Sequence, residues 1–464
     1  MERVDLVIVG GGPAGYQGAI RAAQLGMRVA CVEQRATLGG TCLNVGCIPS
    51  KALLDSSEHF HLARAGLAAH GVRVGEVGLD LPAMMARKDR VVQGLAQGIV
   101  GLFKKHGVTH VVGTARIAAP GRVEVRGDAG VQTLEAARIL VATGSEPMPL
   151  EALPFDGERI VCSTEALALP RVPERLLVVG AGAVGLELGS VWRRLGAEVT
   201  VVEFLERMLP WADATCVRQL QRALEKLGLR FRFGSAAVAH ERTAGGVRVT
   251  VESKGERATL DADVVLVAVG RRPVTGGLGL QEAGVAVDER GRIRVDERFQ
   301  TSVPGIFAAG DVVAGPMLAH KAEEDAVAAV EGMAGHPVHV DWDRIPNVVY
   351  TWPELASVGL TEDEAKRRGH QVKVGMFPFA ASARARCMGD TDGSVRVVAD
   401  AASDQVLGVH MVGPRASDLI AEAVLALEYG ASSEDIGRTC HAHPTLPEAL
   451  REAALAVDKR ALNI

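Results

Sequence analysis

A strand running into a glycine turn, a helix, a second strand and an acid occurs twice in this chain, from Val4 and again from Arg175. After Val338 the character changes to short alternating runs. Together these observations predict an α/β protein with two Rossmann-like dinucleotide-binding domains, followed by a C-terminal α+β domain with an antiparallel sheet. At 464 residues the chain has room for roughly two to four such domains.

Composition narrows the function classes. Hydrophobic residues make up 48% and charged residues 23%, an ordinary globular balance. A net charge of -5 gives no reason to expect nucleic acid or an anionic membrane as partner. No apolar run approaches the roughly 20 residues needed to cross a bilayer. Met1-Glu2-Arg3-Val4-Asp5 leads straight into a strand, without a secretory signal, so a cytoplasmic protein is expected. Seven scattered cysteines do not form a secreted disulfide framework. A disulfide here would be transient and catalytic.

The first unit starts with the apolar strand Val4 to Val9, followed by Gly10-Gly11-Gly12-Pro13-Ala14-Gly15. A helix is expected from about Ala14 to Leu25, then a strand from Arg28 to Val32 ending at Glu33. Gly10 permits a tight turn, Gly12 lets a pyrophosphate approach, and Gly15 lets helix pack on strand. Glu33 is placed to accept from an adenosine ribose.

Next comes Gly39-Gly40-Thr41-Cys42-Leu43-Asn44-Val45-Gly46-Cys47-Ile48-Pro49-Ser50-Lys51. Its two cysteines admit a structural disulfide, a metal site or a redox-active dithiol. No second cysteine pair supplies zinc ligands at the usual spacing.

Residues 55 to 105 contain helical patterns, and 108 to 140 read as short strands with glycine turns. Ile139 to Ser145 is a buried strand entering a small-residue turn. The second unit repeats the first: strand Arg175 to Val179, turn Gly180 to Gly185, helix Leu186 to Leu195, strand Glu198 to Val202, acid Glu203. From first glycine to acid is 23 residues in both copies. A carboxylate at Glu203 would repel a 2′-phosphate, which favours NAD over NADP. Val264 to Val269 parallels Ile139 to Ser145, and Ile306 to Asp311 is a further strand with an acid at its ligand-facing end. The bland alternative for Asp311 is a helix cap.

Residues 345 to 412 predict an antiparallel sheet, with helices at Ala416 to Glu428 and Glu448 to Val457. Between those helices, Pro444 and Pro447 exclude a regular helix, so His443 should sit on a fixed loop. Glu448 could orient its imidazole for general-base work. A capping histidine is the plain alternative.

The motifs GGGPAG, GGTCLNVGCIPSK, ATGS, GAGAVGLELG, VAVGRRP, IFAAGD and HAHPTLPE stand in order along the chain. In this the chain resembles, over essentially its whole length, the pyridine nucleotide-disulfide oxidoreductases, and within them the dihydrolipoamide dehydrogenases. The resemblance implies FAD in the first site, its adenosine diphosphate end on Gly10, Gly12, Gly15 and Glu33. Gly40, Thr41, Lys51, Ala115, Thr143, Gly144 and Ser145 would line the FAD path. Gly310 and Asp311 would meet the ribityl chain, and Met317, Leu318, Ala319 and His320 the pyrimidine edge. NAD would lie on Gly180, Gly182, Ala183, Val184, Gly185 and Glu203, with Gly270 near the nicotinamide. Glu187 would pair with Lys51 beside the flavin.

The resemblance also implies the chemistry. Cys42 would be the interchange thiol, Cys47 the thiol facing the flavin, His443 the base and Glu448 its orienter. The base would come from the other subunit, making a homodimer, and a cis bond would precede Pro444. The implied reaction oxidises protein-bound dihydrolipoamide and reduces NAD⁺, without a metal. Implied partners are a lipoyl-bearing protein and the peripheral subunit-binding domain of a 2-oxo acid dehydrogenase acyltransferase, or the glycine cleavage system. No lipoyl-type segment precedes residue 1, so the lipoyl group should come from another chain. The implied domains are FAD-binding 1–147, NAD-binding 148–272, a central second part of the FAD domain 273–343, and an interface domain 344–464. Pro447, where the family usually has Ser or Thr, removes no reacting group.

Helix geometry constrains the cysteine segment. On a regular helix, residues five apart lie about 140° around and about 7.5 Å along the axis. Their Cα atoms would be roughly 8–9 Å apart, too far for a disulfide. A Cys42–Cys47 bridge therefore requires a distorted helical segment, and Pro49 is expected to disfavour helix at Ile48.

Four rivals are weaker. Glu203 opposes the usual NADP preference of glutathione reductase. The end Ala461-Leu462-Asn463-Ile464 lacks the cysteine pair of mercuric reductase. A soluble transhydrogenase needs neither the cysteines nor His443, and a non-catalytic flavoprotein scaffold would show no diaphorase activity.

Overall fold

A computed structural model describes residues 2–464, and the chain divides into two compact units. One comprises Met1–Ala52, Pro82–Met148 and Gly270–Trp342; the other comprises Leu53–Leu81, Pro149–Val269 and Asp343–Ile464. No helix among the described residues is long and apolar enough to cross a membrane.

In the first unit, strand Glu2–Val9 pairs in parallel with Val29–Glu33 on one side and Gly130–Val141 on the other. Thr109–Val112 and Ile306–Ala308 extend this parallel core, and the hairpin Thr114–Ala119/Arg122–Gly127 adds two antiparallel strands. Successive side chains face opposite ways, so the strand feeds two cores. Leu6 and Ile8 pack with Ala19 and Ile20 of helix Pro13–Gln24 and with Ala322, Ala326 and Ala329 of helix Ala319–Met333. Val7 and Val9 pack with Ile117, Val123 and Val125. With both faces covered, the strands read as unbroken apolar runs. Each fully buried Leu, Ile or Val contributes roughly 1.5–3 kcal/mol.

The second unit repeats the device. Arg230–Arg232, Glu198–Val202, Arg175–Val179, Val264–Val267 and Ile160–Val161 form a five-stranded parallel sheet in that order. A three-stranded antiparallel sheet spans Ala236–Arg242, Val247–Ser253 and Glu256–Ala262. The C-terminal sheet is antiparallel, in the order Asn347–Val349, Glu354–Gly359, Val406–Gly413, Ser394–Asp400 and Val372–Pro378. Helices Ala416–Glu428 and Glu448–Ala456 pack on it through Ile420, Ala423, Ala449, Leu450 and Ala453. Three short helices, Glu362–Arg367, Ala383–Met388 and Ser433–Arg438, were not foreseen; Thr361, Ser382 and Ser432 cap them.

One expectation fails. Ile48 and Pro49 lie inside helix Cys47–His61. Proline is tolerated because it falls in the first turn, where its missing N–H has no intrahelical acceptor to lose.

Candidate active site

Each acid of the repeated units holds the glycine turn that precedes it. Gly10 sits at φ +108° and its N–H donates to Val32 O at 2.8 Å. The Gly11 N–H donates to Glu33 Oε2 at 2.8 Å, while Glu33 Oε1 takes the Arg35 amide at 2.9 Å. A Cβ on Gly15 would run into the Gly10 carbonyl. In the second unit Gly180 sits at φ +107°, and Glu203 takes the Ala181 amide at 2.7 Å and the Leu205 amide at 2.9 Å. Helices Pro13–Gln24 and Ala183–Leu195 begin at Gly12 and Gly182 without a side-chain cap. Asp213, Thr361 and Ser432 supply such caps elsewhere. Uncapped amides beneath a turn of glycines and other small residues fit the pyrophosphates of FAD and NAD.

The cysteine segment docks on the first turn, where the Gly39 N–H donates to Gly11 O at 2.8 Å. Helix Gly40–Val45 ends at Gly46, whose φ of -141° and ψ of -110° are non-helical, and helix Cys47–His61 starts afresh. That break brings the Cα atoms of Cys42 and Cys47 to 4.6 Å, and the two form a disulfide. The expected distortion is present. Asn44 steadies the approach by donating from Nδ2 to Gly40 O at 2.8 Å and Leu38 O at 3.0 Å. Thr41 and Lys51 are half-buried, Lys51 one helical turn beyond Cys47. Cys31 stands apart on its strand, where burial pushes the thiol pKa far up.

Other expected cofactor residues line the same unit. Ala115 is buried on its strand, and Gly144 sits at φ +73°. Thr143 Oγ1 donates to Val274 O at 2.6 Å. Ser145 donates to Asp311 Oδ2 at 2.5 Å, so Asp311 is a hydrogen-bond acceptor in the turn, not a helix cap. Arg271 Nε donates to Ser145 Oγ at 2.7 Å. Met317 and Leu318 lead into helix Ala319–Met333, which opens with Ala319 and His320. Gly270 sits at φ +136° and its carbonyl takes the Met148 amide at 3.0 Å. In the second unit Ala183 and Val184 open their helix, and Glu187 is buried with Oε1 taking the Tyr350 amide at 3.0 Å.

His443 lies on a loop after helix Ser433–Arg438 and follows it into a cis bond with Pro444. Its Nδ1 meets Glu448 Oε1 at 2.9 Å, and Glu448 Oε2 takes the Thr445 amide at 2.8 Å. A carboxylate only accepts, so Nδ1 carries the proton and Nε2 the lone pair. Burial raises the Glu448 pKa, but the Thr445 amide and the His443 ring together hold it below its usual range. The His443 side chain is 70% exposed, so this oriented base faces outward. Sequence reasoning missed Arg271, although it stands in the quoted VAVGRRP motif. It also missed His441, whose buried ring bridges Glu422 Oε1 at 2.8 Å and Thr439 O at 2.9 Å.

Known proteins resemble this chain over its whole length. Residues 4–326 match the family described as pyridine nucleotide-disulphide oxidoreductase, and residues 345–454 match its dimerisation domain. Dihydrolipoyl dehydrogenase 1, mitochondrial, of Arabidopsis thaliana is 52% identical over 99% of this chain and 91% of its own length. Dihydrolipoyl dehydrogenase 3 of Pseudomonas putida is 51% identical over 100% of both. The crystal structure of LpdA from Mycobacterium tuberculosis superposes with a TM-score of 0.90 at 29% identity, covering 98% of this chain and 99% of that one. The chain belongs to the pyridine nucleotide-disulphide oxidoreductase family.

Proposed function

We propose that the protein oxidises protein-bound dihydrolipoamide to lipoamide and reduces NAD⁺ to NADH. It would do so as the dehydrogenase component of a 2-oxo acid dehydrogenase or glycine cleavage complex. The observation that carries this reading is the Cys42–Cys47 disulfide on a broken helix hydrogen-bonded to the first glycine turn.

Thiolates, not thiols, attack disulfides. His443 Nε2 takes the proton from one substrate thiol, with Glu448 steadying the imidazolium. The thiolate attacks Cys42 Sγ; the Cys42–Cys47 bond breaks and Cys47 leaves as a thiolate. The second substrate sulfur then displaces Cys42, its proton passing to the departing Cys42 sulfur; the lipoamide ring closes and two electrons stay on the Cys42 thiol/Cys47 thiolate pair. Bound FAD supplies the relay that carries an electron pair from a thiolate to a nicotinamide. The chain would hold it through Gly10, Gly12, Gly15 and Glu33, with Lys51, Ser145 and Asp311 along its length. NAD⁺ would use Gly180 to Gly185 and Glu203.

An oriented base that faces outward supports a homodimer in which His443 of one protomer serves the dithiol of the other. The peripheral subunit-binding domain of an acyltransferase would then recruit the dimer to its lipoyl substrate. Five cysteines outside the disulfide are free thiols, which supports a reducing cytoplasmic setting.

His443→Gln should lower dihydrolipoamide oxidation by about 10²–10⁴-fold while NADH-driven reduction of an artificial acceptor stays within about twofold. Equal loss of both activities would remove His443 from the role of base.

A further inference from the structure

Helix Ala319–Met333 carries a charged pair with no exposed surface. Lys321 and Asp325, one turn apart, are both 0% exposed, with Nζ and Oδ2 at 2.6 Å. Lys321 spends its other two donors on Gly310 O at 3.1 Å and Ala314 O at 2.8 Å. Asp325 Oδ2 also takes the Gly310 N–H at 3.1 Å, and its Oδ1 takes the Trp342 indole N–H at 3.1 Å. The ammonium lies 4.8 Å from the Trp342 ring centroid.

The two charges therefore grip one residue by both its backbone groups. That residue is Gly310, at φ +80°, in a space where a Cβ would crowd Ala322 and Ala14 at 3.1 and 3.3 Å. Its carbonyl belongs to the peptide that carries the Asp311 amide, so holding the carbonyl sets the direction in which Asp311 leaves the turn. The Asp311 carboxylate is then held from the other side by Ser145, itself fixed by Arg271 at Oγ and, from Nη2 at 2.6 Å, at the carbonyl. Burying two charges costs more desolvation than a surface pair would, and an apolar pair of similar volume often packs as well. Stability alone therefore gives no reason for this arrangement.

We propose that Lys321, Asp325 and Trp342 are positioning residues for the flavin nucleotide. Their network fixes the Gly310–Asp311 peptide and presents the Asp311 carboxylate, already oriented, to the sugar-alcohol hydroxyls. This rests on the reading that Asp311 contacts FAD.

The test uses full-length, deflavinated protein titrated with FAD by the quenching of flavin fluorescence, with NAD⁺ binding and thermal midpoint measured alongside. The double variant Lys321→Met/Asp325→Leu removes both charges together and should weaken FAD at least about tenfold, with NAD⁺ affinity within about twofold. Trp342→Phe keeps an aromatic ring there, removes the N–H to Asp325 along with part of the indole, and should weaken FAD by about two- to fivefold with NAD⁺ affinity within about twofold. Asp311→Asn is the control for the underlying reading and should also weaken FAD. If Asp311→Asn weakens FAD and the folded double variant does not, the network does not position the site. If Asp311→Asn binds FAD as wild type, Asp311 is no contact and the proposal falls with that reading. Where the double variant does not fold, Trp342→Phe decides: unchanged FAD affinity overturns the proposal.

Discussion

The two glycine turns are near copies in backbone and differ in what surrounds them. Gly10 and Gly180 share a φ within a degree, and Glu33 and Glu203 take the same two amides relative to their turns. Yet Glu33 is buried, and the Gly39 amide ties the disulfide segment onto its turn. Glu203 is half-buried and followed by Phe204, 74% exposed, and the exposed Leu205. A turn walled in by neighbouring segments suits a cofactor that stays; an open one suits a coenzyme that comes and goes. On the proposed assignment of FAD to the first turn and NAD⁺ to the second, one backbone device would serve two residence times, with the walls making the difference.

The largest expected effect comes from closing each turn. Gly15→Val places carbon against the Gly10 carbonyl, and Gly185→Val does the same to Gly180. Gly15→Val should purify without flavin and lose both dihydrolipoamide and diaphorase activity by about 10³-fold or more. Gly185→Val should keep its flavin absorbance and raise KM for NAD⁺ by about 10–100-fold. Loss of flavin from both variants would erase the distinction between the turns.

A smaller effect lies in coenzyme choice. Both Glu203 oxygens are fixed by backbone amides, so in the proposed NAD⁺ site the carboxylate would stand rigidly against a 2′-phosphate. Glu203→Arg should cut the NAD⁺ over NADP⁺ preference in kcat/KM by about 10–100-fold. Flavin content should not change. An unaltered preference would show that specificity is set elsewhere in the second turn.

Much of this was legible because it is local. Strand, turn, helix and acid follow each other within one stretch of chain, and the periodicity that marks them is what buries them. The break between Cys42 and Cys47 was legible for the same reason: five residues of regular helix hold two sulfurs apart, and Gly46 lies between them. Glu448 was within one loop of His443. Part of what escaped depends on burial or on short length, though helix Ala214–Leu227, with its Asp213 cap, was readable and not read. Lys321 and Asp325 have the spacing of an ordinary surface pair, and nothing local tells that helix Ala319–Met333 turns this face inward. Helices Glu362–Arg367 and Ser433–Arg438 are too short for an apolar period, although Thr361 with Glu364 and Ser432 with Asp435 are readable capping boxes. Pro49 misled because a proline's effect depends on which turn of the helix it occupies.

The smallest effect sharpens the comparison at the opposite ends of the same strands. In the first unit Asp5 takes the Arg28 amide at 2.8 Å and its guanidinium at 3.4 Å. In the second, Asp263 takes the Arg175 amide at 2.9 Å and its guanidinium at 2.8 Å. The Asp5 pKa is lowered, chiefly by the Arg28 amide. Burial raises the Asp263 pKa, but Arg175 outweighs it and the net shift is also downward. A lowered folded pKa means that the stabilisation is fully present above the usual 3.8 and is lost as pH falls through the folded value. The Asp263 side chain is 17% exposed against 39% for Asp5, so water screens its pair less. Asp263→Asn should lower Tm by about 2–4 °C at pH 7, and Asp5→Asn by less than about half of that. Both deficits should hold constant down to about pH 4 and shrink below it, as the wild-type carboxylates take up protons. A deficit that persists undiminished at pH 2 would mean that hydrogen-bond geometry, not charge, holds the strand starts together.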